Sequence, residues 1–257
     1  MRYLKTYFYS ENEIPMLLLN IAEAYDHIDK FIVYEFDYTT SGMKKPFVDL
    51  NKNWHIFEPY QDKFEYHKIS LDEDPNFMKD ESGNLSTEIQ KISNEPYSRN
   101  YFTKLVSLND EDLVFSVDAD EIIYGSSYDD LSDEVILKDE PVLIKMHFFW
   151  QKINQLTPNG WQSSVACKFK HLKEKNQKVS VGMTKYPQWR NEGMPSKNIH
   201  GCHFSNCYAE EEQFEYRKKA IYYKPTTKKT ISIDLDSDII PKKLKEIYSV
   251  FKGFNVL

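Results

Sequence analysis

LVFSVDADEIIYG, residues 113 to 125, drives a mostly apolar run into three carboxylates, Asp118, Asp120 and Glu121. Leu113 to Val117 reads as a short buried strand. Like charges this close repel one another unless a cation sits among them. A strand holds its backbone rigidly and sends alternate side chains to one side, so Asp118 and Asp120 are aimed together. Hard carboxylate oxygens suit Mg2+ or Mn2+, ions that complete their shell with water and substrate phosphates. The pair can therefore hold a cation that a nucleotide diphosphate also ligates. In the competing reading, the same acids favour the N-terminus of a following helix, near Ser126 to Glu134.

The letters alone do not decide between these readings. The chain contains five D-x-D triplets: Asp72/Asp74, Asp110/Asp112, Asp118/Asp120, Asp234/Asp236 and Asp236/Asp238. Four lie in polar surroundings, where a solvated loop face accounts for them. Only Asp118/Asp120 follows an apolar strand.

Outward from this stretch, the N-terminus reads as β-α-β. RYLKTYFY is strand-like, PMLLLNIAEAY is a helix with Pro15 in its first turn, and DKFIVYEF is a second strand. Such alternation favours a parallel sheet with its ligand site beyond the carboxyl ends of the strands, and DADE falls at such an end. DYTTSGMKKPF is a turn-rich loop, and a strand is expected near His67 to Leu71. Asp72 to about Asn94 reads as a polar surface loop or lid. EPYSRNYFTKLVSL is expected to be a helix. PVLIKMHFFW, WQSSVACKFKH and KNIHGCHFSNCY are expected to be strands. Charged helices are expected from Ala209 to about Ala220 and within PKKLKEIYSVFKGF at the C-terminus.

Composition narrows the function classes. A chain of 257 residues with 40% apolar and 15% aromatic content and eight glycines can bury a large core. The formal charge of −7 and the lack of a basic stripe argue against a nucleic-acid partner. No apolar run approaches the roughly twenty residues of a transmembrane helix, and no signal peptide is visible. Three cysteines, Cys167, Cys202 and Cys207, fit a reducing compartment. The expected location is cytoplasmic. His200 and His203 near Cys202 and Cys207 match no zinc template, so a ligand role and ordinary packing stay equally open.

Several blocks, in order, resemble glycosyltransferase family 17, the family of β-1,4-mannosyl-glycoprotein 4-β-N-acetylglucosaminyltransferase. They are Asn12-Glu13 with LLLN, the strand ending at Glu35, Thr40-Ser41-Gly42 with Lys45-Pro46, Glu95 with Arg99-Asn100, DADEI, HFFW with Trp161, and Gly201-Cys202-His203-Phe204-Ser205 with Cys207. Together they span about residues 7 to 220. The chain departs from the family pattern at Ile123, where a proline usually stands, and at Cys202, which replaces a tryptophan.

The resemblance implies an α/β fold of the GT-A type, a Rossmann-like nucleotide-diphospho-sugar transferase fold with a mostly parallel central sheet and flanking helices. The transferase domain is expected over 1–224 and a helical extension over 225–257. The implied activity is a metal-dependent, inverting transfer of a sugar, first of all GlcNAc from UDP-GlcNAc, to a glycan hydroxyl. Asp118, Asp120 and His203 are the expected ligands of Mn2+ or Mg2+. Tyr9, Glu13, Glu35, Arg99 and Asp118 are expected on the donor side; Arg99 could equally pair with Glu95 one turn earlier. Glu192 and Glu121 are the candidate catalytic bases, and Glu121 also reads as a group that holds the metal-binding acids in place or as a helix cap. Trp150 and Trp161 are candidates to stack on acceptor sugars, with core packing the alternative. A homodimer is the candidate assembly. A sugar nucleotidyltransferase and a catalytically silent sugar-binding adaptor are the alternatives. The former calls for a glycine-rich phosphate loop near the first strand, where the chain has no glycine before Gly42.

Overall fold

The computed structural model describes residues 1–82, 85, 94–177, 193–205, 207 and 229–247. The expected helix near 209–220 and the C-terminal part of the expected tail helix lie outside these residues. Strands β1 (Arg2–Phe8), β2 (Lys30–Phe36), β3 (Phe64–Ile69) and β4 (Leu113–Ser116) run parallel in the order β3-β2-β1-β4. Beyond β4 the sheet continues through antiparallel pairings with β8 (Trp161–Lys168), which pairs with β6 (Val142–Trp150). Strand β9 (Met194–Ser205) runs parallel to β6 and antiparallel to β5 (Glu121–Ile123). The short strands β7 (Gln155–Leu156) and β10 (Ile231–Ser232) complete the ten-stranded sheet.

Alternation along each strand divides the core into two layers. Leu4, Phe8, Phe31, Val33, Phe115 and Val117 face one layer, with helices α1 (Ile14–Ala24) and, further along the chain, Tyr128–Lys138. Tyr3, Tyr7, Ile32, Tyr34 and Val114 face the other, with Tyr97, Phe102, Phe169 and Leu172. Helix α1 is buried on all sides, as its nearly continuous apolar sequence requires. The result is an α/β arrangement whose sheet is mixed, not mostly parallel as expected: β1 to β4 are parallel, and beyond β4 antiparallel pairings alternate with the parallel pair β6–β9.

Four local differences from the sequence reading have physical reasons. The expected helix EPYSRNYFTKLVSL is two short ones, Asn94–Asn100 and Phe102–Leu105, with Tyr101 between them. The third strand starts earlier than expected, at Phe64, because its pairing with β2 begins at Phe31. The strand expected over WQSSVACKFKH ends at Lys168, and Phe169–Gln177 is helical. Most consequential, the acids do not lead into a helix. Glu121–Ile123 is a strand buried against β9, followed by a tight turn at Gly125–Ser127, and the helix begins only at Tyr128. The helix-capping reading of Asp118 and Asp120 therefore falls away; Asp129 and Asp130 occupy that helix's first turn.

At the other end of the chain, Ile240 and Leu244 are buried against Met16, Leu19 and Cys202. Near the site, Gly42, with φ of 85°, lets the loop after β2 approach the chain around Met78 and Asp80. Asn94 fastens that region by donating to the carbonyls of Thr40 and Met78.

Candidate functional site

The acids occupy the loop between β4 and β5, and the loop is pinned at nearly every peptide. The Val117 N–H donates to the Lys5 carbonyl. The Asp118 N–H donates to Glu121 Oε2 at 2.8 Å, and the Asp118 carbonyl accepts from the Glu121 N–H. Asn20, fully buried on α1, donates its amide to the carbonyls of Asp118 (3.4 Å) and Glu121 (3.0 Å). The Asp120 carbonyl accepts from the Phe204 N–H of β9. Such fixing holds side chains at the loop in place before any ligand arrives.

Glu121 has no exposed surface. Its Oε1 accepts from the Trp161 indole N–H (2.8 Å) and the Ser163 hydroxyl (3.0 Å), and its Oε2 from the Ser164 hydroxyl (2.8 Å) and the Asp118 N–H. A buried carboxylate is tolerated when donors surround it in this way. It clamps the loop to β8, and a proton taken on either oxygen would compete with the hydrogen bonds that oxygen already accepts.

Asp118 and Asp120 are half-buried. Arg99 Nη2 lies 3.1 Å from Asp118 Oδ2 and Nε 3.4 Å from Oδ1, while Nη2 also pairs with Glu95 one helical turn earlier. The pair with Glu95 that the sequence offered is thus present, and the same guanidinium reaches Asp118. The attached carboxylates hold it firmly in its charged form. His203 Nε2 stands 3.5 Å from Asp120 Oδ2. Its ring packs against Phe148, stacked at 5.1 Å, and against Trp161, at 4.3 Å, two rings that also touch each other at 5.3 Å. Pairing across β5 and β9 places His203 opposite Glu121, which is why two motifs 82 positions apart in sequence meet here.

Two carboxylates and an imidazole form a donor set suited to Mn2+ or Mg2+. Among the described residues no group of three or more His, Cys, Asp or Glu side chains is gathered closely enough to form a ready metal cage. The physical reason is visible: Asp118 faces Arg99 while Asp120 faces His203. The donor chemistry fits such an ion, with the shell left for a substrate oxygen to complete.

The other expected residues are distributed along the ends of β1 and β2. Tyr9 follows β1, packs edge-on against Tyr7 at 5.3 Å, and has its hydroxyl pKa raised by burial. The Glu13 carboxylate accepts from the Tyr9 and Ser10 N–H groups, bracing the turn into α1. Glu35 is buried and accepts from the N–H groups of Val48 (2.7 Å) and Asp49 (2.9 Å) and from the Tyr66 hydroxyl, so it shapes the loop after β2. Trp150 is buried, 6.0 Å from Phe148, while Trp161 is partly exposed. Glu192 lies outside the described residues. Sequence reasoning missed Asn20, Ser163 and Ser164; an amide within an otherwise apolar helix, LLLN, was the only available signal.

No protein-family model matches the chain. A search of curated proteins finds no match either. Among solved structures, 4-diphosphocytidyl-2C-methyl-D-erythritol synthase from Anaerococcus prevotii DSM 20548 is similar at 13% identity and a TM-score of 0.42, over 87% of this chain and 97% of that one. The galactosyltransferase LgtC, in complex with donor and acceptor sugar analogs, is similar at 10% identity and a TM-score of 0.41, over 88% and 98%. An active-site mutant of LgtC gives 11% identity and a TM-score of 0.40, over 88% and 98%. The α/β architecture stands on the chain's own strand order, independently of these likenesses. Among the described residues no helix is long and apolar enough to cross a membrane.

Proposed function

We propose that the chain is a metal-dependent, inverting glycosyltransferase that moves a sugar from a nucleotide-sugar donor to a glycan hydroxyl, with UDP-GlcNAc the first donor to test. The observation that carries this reading is the pairing of Asp118 with Arg99 and of Asp120 with His203 on one pinned loop at the carboxyl end of a parallel strand. Open α/β sheets take ligands at that edge.

In this reading Asp118, Asp120 and His203 hold Mn2+ or Mg2+, and a bound ion would neutralise charge developing on the leaving nucleotide diphosphate. Arg99 adds a fixed cation beside it, because Glu95 can keep the guanidinium in place when Asp118 turns to other partners. Tyr9 lines the donor side; Glu13 and Glu35 act through the loops that they brace. Glu121 is assigned as a positioning residue. The acceptor hydroxyl loses its proton as its oxygen bonds the anomeric carbon and the diphosphate departs from the opposite face; Glu192 is the base proposed for that proton. Trp161, partly exposed beside His203, is the better placed of the two tryptophans for stacking on a sugar.

The test is a thermal-shift screen of UDP, GDP and their sugars with Mn2+, followed by donor hydrolysis with the full chain. A nucleotide raising the melting temperature only with metal, and losing that effect in Asp120→Ala, supports the reading. Absence of nucleotide-dependent stabilisation with any divalent ion refutes it.

A further inference from the structure

Lys45 stands just beyond β2, with its backbone N–H bonded to the Asp37 carbonyl at 2.8 Å. Only 6% of its surface is exposed, whereas the neighbouring Lys44 reaches solvent and two aspartates. An ammonium carries three protons to donate. Among the described residues Lys45 uses them in one long contact, 3.4 Å to the Pro46 carbonyl, and forms no ion pair.

Carboxylates surround the group, but each is committed elsewhere. Glu35 is taken by Val48, Asp49 and Tyr66. Glu13 is taken by the N–H groups of Tyr9 and Ser10. Asp37 accepts from Lys44, Ser70 and the Leu71 N–H. Burial lowers the Lys45 pKa, and the fields of Glu35, Glu13 and Asp37 oppose that shift without cancelling it. A charge buried with so few acceptors is costly.

Its position suggests what offsets the cost. The Lys45 N–H bonds the carbonyl of Asp37, the first residue past β2, so Lys45 sits at the carboxyl end of β2, whereas the acids follow β4 on the far side of β1. Adjacent strands are about 4.8 Å apart, which separates β2 from β4 by about 10 Å. That is the reach from a diphosphate to the far side of its nucleoside.

We propose that Lys45 is a donor-binding residue that donates to a neutral oxygen, carbonyl or hydroxyl, on the nucleoside part of the nucleotide. The inference rests on the transferase reading and adds to it the group that recognises the nucleoside.

The test is calorimetric titration of the full chain in Mn2+ with UDP and GDP, then with the free nucleoside of the tighter binder by competition. It is run on wild type, Lys45→Met and Lys45→Gln. Lys45→Met is expected to weaken nucleotide and nucleoside by the same factor of about ten, or about 1.4 kcal/mol. Its unliganded melting temperature should match or exceed that of wild type, because an uncompensated buried charge has gone. Lys45→Gln, which keeps N–H donors, should fall between the two in affinity. Unchanged affinity in both variants overturns the inference, as does a lowered melting temperature with affinity intact, which makes Lys45 structural. A loss for the diphosphate but not the nucleoside also overturns it, by placing the ammonium on phosphate. Failure of wild type to bind either nucleotide refutes the transferase reading itself, and the inference with it.

Discussion

Replacing Glu121 by glutamine changes one oxygen to an NH2 group and leaves the shape of the side chain intact. The hydroxyls of Ser163 and Ser164 can rotate to accept from the new amide. The Trp161 indole N–H and the Asp118 N–H cannot, since both are donors only. These two donate to different oxygens, Trp161 to Oε1 and Asp118 to Oε2, so either orientation of the amide sets one N–H against another. The variant loses one hydrogen bond to a charged acceptor, worth about 1.5–3 kcal/mol, and leaves a buried donor unpaired. Removing a buried charge returns part of this. The net cost should be about 2 kcal/mol, which in a chain of this length lowers the melting temperature by about 4–8 °C. Differential scanning calorimetry without ligand measures it. Glu121→Ala, which strands all four donors, should cost more than Glu121→Gln. A Glu121→Gln variant melting within about 1 °C of wild type would mean that the four donors do not depend on the carboxylate, and the clamp would be refuted.

Other perturbations read different parts of the same arrangement. At Gly201 an added Cβ would stand 2.2 Å from the Ile122 carbonyl oxygen, so Gly201→Ala must push β5 from β9. The expected loss is about 1–3 kcal/mol, read by urea unfolding, with weaker nucleotide binding because the acid loop moves with β5. His200 is 3% exposed, and burial lowers its pKa despite the opposing fields of Glu134 and Asp130. The unfolded imidazole takes a proton from about pH 6.5 downward, before the folded one does, so the unfolded state binds more protons and stability falls with pH below that point. Melting temperatures at pH 7.5 and 5.5 should differ more in wild type than in His200→Gln, and equal differences would refute the assignment.

Much of the fold could be read from local pattern. RYLKTYFY, PMLLLNIAEAY and DKFIVYEF became β1, α1 and β2, because burial on both faces demands continuous apolar runs and such runs are visible in one dimension. The mixed character of the sheet was less legible, since strand direction is set by partners and not by composition. Nothing in the local pattern assigns Glu121 to Ile123 to a strand. They form a strand only because β9, about 80 residues later, supplies the hydrogen bonds.

The same division runs through the candidate site. The sequence by itself determined that a rigid strand ends in Asp118 and Asp120, because the apolar run before them and the acids are contiguous. The partners of Glu121 are not legible locally, because its donors at 161, 163 and 164 lie about 40 residues away and reach it only through the pairing of the sheet. Residue type alone does not separate His203 from His200; the family resemblance singles it out, and the pairing of β9 with β5 sets its ring beside Asp120. A carboxylate's role is fixed by what donates to it and by how much water reaches it. Both depend on three-dimensional neighbours, which is why residue type and spacing point to a candidate site whose internal pairings exist only in the folded chain.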